Sequence, residues 1–279
     1  MNPKSEMEIA TMAKQPVTAT VSGKNIELKL TNVTLSFCDV WEPLEGTTEA
    51  GLPNGSFGVS TSILISKTTE AGKAQLAAVR QAMKDARTAE WGDQAPVIPA
   101  NCLCLQDGEP IDPSTVDESV PGSGERKERW GGFAGNFYIS AKRGMKAKTK
   151  EDAIKELAAK HPVQILGPRK TAQDDRGNPC FPTLRESDDL IYSGVVADVI
   201  IQIYPYSGAG KKPGGGNHPN RINASLECIK FVEHGARLGG AKRVDAQSAF
   251  DEEDDDDAGS GVGGTAVPAA TVVDDDPLG

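Results

Sequence analysis

The chain has 279 residues, with 5% aromatics, 30 glycines and 18 prolines, which argues against a helical bundle and for strands joined by turns and long loops. Its formal net charge of −10 is segmented: residues 1–121 sum to −7, residues 122–250 to +7, and residues 251–279 to −10. The acidic total therefore does not exclude a nucleic-acid partner for the basic half. The lack of an apolar leader or membrane-length run, with an odd count of five cysteines, points to a reduced cytoplasmic protein with free thiols and no membrane partner.

Residues 1–24 read as a flexible N-terminus, residues 25–245 as one folded domain and residues 246–279 as a disordered tail. Ile26, Leu28 and Leu30 alternate, then Val33, Leu35 and Phe37 alternate in the opposite phase; the shift at Thr31-Asn32 predicts a bulge or two successive strands. After the turn "GLPNGS" comes "FGVSTSILIS", with Phe57, Val59, Thr61, Ile63 and Ile65 on one face. A helix follows over about Glu70–Trp91, with Leu76, Val79, Met83 and Ala86 at helical spacing and Thr68 or Thr69 as its cap. Residues 92–129 carry Pro, Gly and acids and little regular structure.

"GGFAGNFYISAKRG" reads as a strand. "KEDAIKELAAKH" reads as a short helix after Thr149, ended by Pro162, and "VQILG" as a short strand. Residues 167–189 are polar loop. "YSGVVADVIIQIYPY" carries the strongest strand signal, and "NRINASLECIKFVEH" answers it across a glycine-rich loop. Strands, one prominent helix and long loops fit a mainly β fold, an OB-fold-like five-stranded barrel.

Period two assigns the faces of these strands. Val195, Ala197, Val199, Ile201 and Ile203 form an apolar face, leaving Val196, Asp198, Ile200, Gln202, Tyr204 and Tyr206 opposite. Phe137, Ile139 and Ala141 point inward; Tyr138, Ser140 and Lys142 point outward and lead into Arg143, Lys146, Lys148 and Lys150. Outward rings beside cations are what a single-strand binder needs: bases stack on rings, and cations hold phosphates. Arg169, Lys170 and Arg221 extend the same basic track. Any one outward Tyr or Lys is ordinary surface; the pattern lies in their coincidence. Trp41, Trp91 and Trp130 read as core or loop anchors.

"YSGAGKKPGGG" is no phosphate-binding P-loop: Pro205 stands where the leading Gly belongs, Lys212 replaces Ser/Thr, and Pro213 with Gly214–Gly216 cannot open a helix. It reads as a flexible loop whose Lys211 and Lys212 wrap a strand. Cys102 and Cys104 have no second ligand pair, since His161, His218 and His234 are scattered, so neither a metal nor any other cofactor is expected. No nucleophile–base arrangement emerges, and no enzymatic activity is expected.

The closing stretch from Phe250 carries ten acids and no Lys or Arg, too polar to bury surface against the entropy of ordering. Tethered to a basic groove, such a polyanion mimics DNA at an effective concentration of about a millimolar. The alternative is a non-enzymatic interaction or scaffold protein whose acidic tail mimics DNA to occupy a basic partner.

"NVTLSFCDVWEP", "FGVSTSILISK" with its following helix, "GFAGNFYISAKR" and "LIYSGVVADVIIQIYPY" together resemble a phage and prophage family of single-stranded DNA-binding proteins, similar in layout to the replicative single-strand binder of short-tailed lytic phages. The resemblance implies an OB-fold, no enzymatic activity, and roles in replication, recombination, repair and strand annealing in the host cytoplasm. It implies that Tyr138, Lys142, Tyr204 and Tyr206 line the DNA groove. It also implies that Asp254, Asp255, Asp256, Asp257, Asp274, Asp275, Asp276 and Leu278 of the tail recruit replication proteins such as polymerase and helicase/primase; a homodimer is a further possible partner. Such tails often end on an aromatic residue, whereas here Leu278 is the apolar tip.

Overall fold

The apolar faces legible in the sequence close on one another in the computed structural model, which describes residues 16–47, 53–109, 131–208 and 219–238. Five strands contribute: β2 (Asn25–Thr47), β3 (Pro53–Ser66), β5 (Asn136–Gly144), β9 (Val196–Tyr206) and β10 (Arg221–Glu233). Leu28, Val59, Ile139, Ile201 and Leu226, one from each, are wholly buried in a single core. Every residue of the apolar face from Val195 to Ile203 is inaccessible, and Phe57, Val59, Thr61, Ile63 and Ile65 share a buried face of β3.

Hydrogen bonding runs antiparallel through β5–β3–β2–β9–β10, and β10 then returns to β5 in parallel, pairing Ala224 with Ala141 and Ser225 with Lys142. One parallel seam in an otherwise antiparallel five-stranded barrel is the expected OB-type architecture. A short strand β4 (Leu105–Asp107) takes the first half of β5, while β6 (Gln164–Leu166) lies parallel to the far half of β10.

Two helices flank the barrel, the prominent one and the short one read after Thr149. The long helix α1 (Glu70–Trp91) begins at Thr69, whose hydroxyl accepts from the Gly72 amide at 3.1 Å, and buries Leu76, Val79, Ala82 and Ala86. The short helix α2 (Lys150–Ala159) is capped by Thr149 in the same way, and only Ala153 of it is buried. Residues 167–189, read as loop, include the small hairpin β7–β8 (Ala172–Gln173 and Pro179–Cys180).

The N-terminal boundary needs correction. Strand β1 (Val17–Ser22) pairs in register with β2, so the ladder begins ahead of residue 25. It buries no face and only Val17 approaches the core, so it left no apolar alternation to read.

The bulge expected at Thr31-Asn32 is present. Asn32 adopts φ 55°, and the β2–β9 register slips between Leu30 and Val33. The amide of Asn32 donates to Asp198 Oδ1 at 3.2 Å, and Lys230 Nζ lies 2.8 Å from Asp198 Oδ2. This explains why Asp198, on the outward parity of β9, is only 3% exposed. From α1, the buried Gln75 donates through Nε2 to Thr31 O at 2.7 Å and Pro16 O at 3.1 Å, docking helix, bulge and β1 together.

Gln75→Leu removes the side-chain donor shared by Thr31 O and Pro16 O, of which Pro16 O keeps the Thr31 amide at 3.1 Å. It should therefore lower the unfolding free energy by about 1 kcal/mol in urea titration, with the spectrum of the native state unchanged.

Candidate nucleic-acid interface

The outward residues of β5, β9 and β10 meet along the seam. Because residues 139 and 141 fill the core, Tyr138, Ser140 and Lys142 face out; by the same parity Tyr204 stands on β9 opposite Asn223 on β10. Together with Arg221 they line one open groove of about 790 Å³. Ser62 and Ser140 oppose each other across β3–β5, and these small side chains with Ala224 leave the floor low between the taller rings.

Residues 101–106 form one wall. Leu103 bridges to Ile222, and the Ser140 amide donates to Cys104 O at 3.2 Å, seating the wall on the barrel. Gln106 Nε2 donates to Ala100 O at 2.6 Å and Leu103 O at 2.7 Å, so both of its amide protons are occupied in holding the wall's shape. Burial pushes the Cys104 thiol up to about 12, and Cys102 is buried beside it. Among the described residues no cluster of His, Cys, Asp and Glu has the geometry to hold a metal ion. No helix among them is long and apolar enough to cross a membrane.

The groove tyrosines are half-buried. Desolvation raises the Tyr138 phenol above its ordinary range; its ring meets Phe133 edge-on at 4.9 Å. Desolvation likewise raises Tyr204, opposed by a hydrogen bond from the Asn223 side chain and by the charge of Arg143.

Of the residues singled out from sequence, Tyr138, Lys142, Tyr204 and Arg221 come together in this groove. Tyr206 is 38% exposed at the end of β9, opposite Arg221 in the ladder. Arg143 is committed elsewhere: its guanidinium pairs with Glu227 and donates to Ser225 Oγ at 3.1 Å. Lys146 and Lys148 stand exposed between β5 and α2, where the Lys146 and Ala147 amides donate to the Glu156 carboxylate. Arg169 and Lys170 lie beyond β6, with Lys170 over the Phe181 ring at 5.7 Å and Lys230 over it at 5.2 Å. None of these five lines the groove. Lys211, Lys212 and the tail residues Asp254–Asp257, Asp274–Asp276 and Leu278 fall outside the described residues.

Sequence reasoning missed Phe37, which lines the groove, is 42% exposed and has φ 48°. Its regular alternation with Val33 and Leu35 points it inward on paper. Asn101, Asn223 and Gln106 were also missed; three polar amides in loop and strand carry no periodic signal.

A sequence family described as Enterobacter phage Enc34, ssDNA-binding protein, matches residues 26–259. Similar solved structures include the single-stranded DNA-binding protein from bacteriophage Enc34 in complex with ssDNA, at 16% identity and TM-score 0.46, covering 81% of this chain and 100% of that one. The same phage protein without DNA gives 16% identity and TM-score 0.43, covering 83% and 97%. The gp2.5 single-stranded DNA-binding protein encoded by bacteriophage T7 gives 11% identity and TM-score 0.33, covering 82% and 98%. Among curated proteins none matches the chain.

In an ultraviolet pH titration, Tyr138→Phe and Tyr204→Phe should each remove a component that ionises above the ordinary tyrosine range. Asn223→Ala, which removes the bond favouring the phenolate, should move the Tyr204 component higher still.

Proposed function

The chain belongs to the family of the Enterobacter phage Enc34 single-stranded DNA-binding protein, and from that premise we propose that it coats single-stranded DNA with little sequence preference. The observation carrying this reading is the meeting of Tyr138, Tyr204, Lys142 and Arg221, from three strands, in one open groove. Rings offer stacking worth about 1–3 kcal/mol per base, and the two cations take phosphates. Lys146 and Lys148, exposed outside the groove, add further cations for phosphate, as do Lys211 and Lys212 of the sequence between β9 and β10.

Weak sequence preference follows from what the groove lacks. Gln106 has both amide protons engaged with its own wall and Asn223 bonds the Tyr204 side chain, so part of the donor capacity of two of the three groove amides is already committed. Stacking is indifferent to base identity because every base has a π-face.

The protein acts in phage-type replication, recombination and repair, without catalysis of its own, in the cytoplasm of the host cell. The body, to about residue 245, carries the groove, and residues 246–279 form a separate acidic tail. The tail occupies the basic groove when DNA is absent, is displaced by an incoming strand, and then recruits polymerase or helicase/primase. Supporting this are ten acids without a base in residues 251–279 against a net +7 over residues 122–250.

Fluorescence anisotropy on oligo-dT and on duplex, with the full chain and with a chain lacking residues 251–279, tests the reading. Oligo-dT should be preferred over duplex, and removing the tail should tighten binding and extend it to higher salt. Lys142→Ala and Arg221→Ala should each flatten the log–log salt dependence by about 0.7. Affinity for oligo-dT absent from both forms would instead favour a scaffold whose tail mimics DNA.

A further inference from the structure

We infer that Phe37 is a base-stacking platform, forming with Tyr138 a nucleobase slot in the groove, and that a strained backbone bulge holds its ring there. The assignment rests on reading the groove as a single-stranded DNA site.

Val33 and Leu35 are buried at 2% and 0%, and the alternation would bury Phe37 next. Instead its backbone turns left-handed, a conformation unfavourable for a bulky residue, and puts an apolar ring at the groove wall. The left-handed backbone and the 42% exposure of the ring both oppose stability, and packing on Phe133 offsets them. Such outliers persist where the surroundings over-determine them, and they cluster at binding sites.

The surroundings here hold the backbone on both sides of the ring. Ser36 O accepts from the buried Thr61 hydroxyl at 3.1 Å, and the Cys38 amide donates to Ser193 Oγ at 3.4 Å. The β2–β3 register slips between Ser36 and Asp39, which accommodates the bulge. Thr61 is the one polar residue on the buried face of β3 that runs from Phe57 to Ile65; its hydroxyl sits where the bulge needs a donor.

A third ring braces the slot. Phe133 is fully buried, with its centroid 5.8 Å from Phe37 and 4.9 Å from Tyr138. Gly132 at φ 84° and Gly135 at φ 77° turn the chain to insert it, and Asn136 Nδ2 donates to Gly132 O at 2.7 Å to hold the turn. Two groove rings thus share one rigid backing, which limits the side-chain entropy lost when a base stacks.

Phe37→Gly separates ring from bulge, because glycine adopts the left-handed backbone without strain. In the full-length protein, Phe37→Gly should weaken oligo-dT binding about tenfold, leave the salt slope unchanged since no phosphate contact is lost, and not lower the thermal midpoint. Phe37→Trp should retain affinity and show oligo-dT quenching of fluorescence beyond that of the unsubstituted protein. Unchanged affinity in Phe37→Gly, or a fall in affinity accompanied by a lower thermal midpoint, would overturn the assignment while leaving the groove's function standing. Failure of the unsubstituted protein to bind oligo-dT would overturn both.

Discussion

Two residue pairs hold this barrel shut. Ala224 with Ala141 and Ser225 with Lys142 make the parallel contact between β10 and β5, and without it the sheet is open. Closure removes the exposed edges that invite pairing with other chains. It also brings Tyr138 and Lys142 beside Arg221 and Asn223, residues about eighty positions apart. Arg143 sits at the same junction, tied to Ser225 and Glu227, and strengthens the seam on which the groove depends. Sequence numbered it among the phosphate ligands; in the structure its guanidinium also ties β5 to β10.

The core was legible because its signal is periodic. An uninterrupted apolar set from Val195 to Ile203, helical spacing from Leu76 to Ala86 and a phase shift at Asn32 each leave a local mark that burial reproduces. What escaped was decided by partners distant in sequence. The direction of Phe37 depends on Thr61 and Ser193, and the burial of Asp198 depends on the Asn32 bulge and Lys230. No window around either residue contains that information. β1 escaped for the opposite reason, having almost nothing to bury.

The cations show the same division. Charge counting places a positive excess in residues 122–250 but cannot say on which side of a barrel each charge emerges. Lys142 and Arg221 reach the groove, whereas Lys170 gathers with Lys230 around Phe181. Lys230 lies seven residues along β10 from Asn223, about 23 Å at strand rise. Among the described cations, those at the groove and those around Phe181 therefore lie apart, although sequence alone groups them together.

The Gln106 side chain, closed on the carbonyls of Ala100 and Leu103, has a mechanical corollary. Both of its donors fasten the wall to itself, so the outline of that side of the groove is set from within rather than by whatever lies beside it.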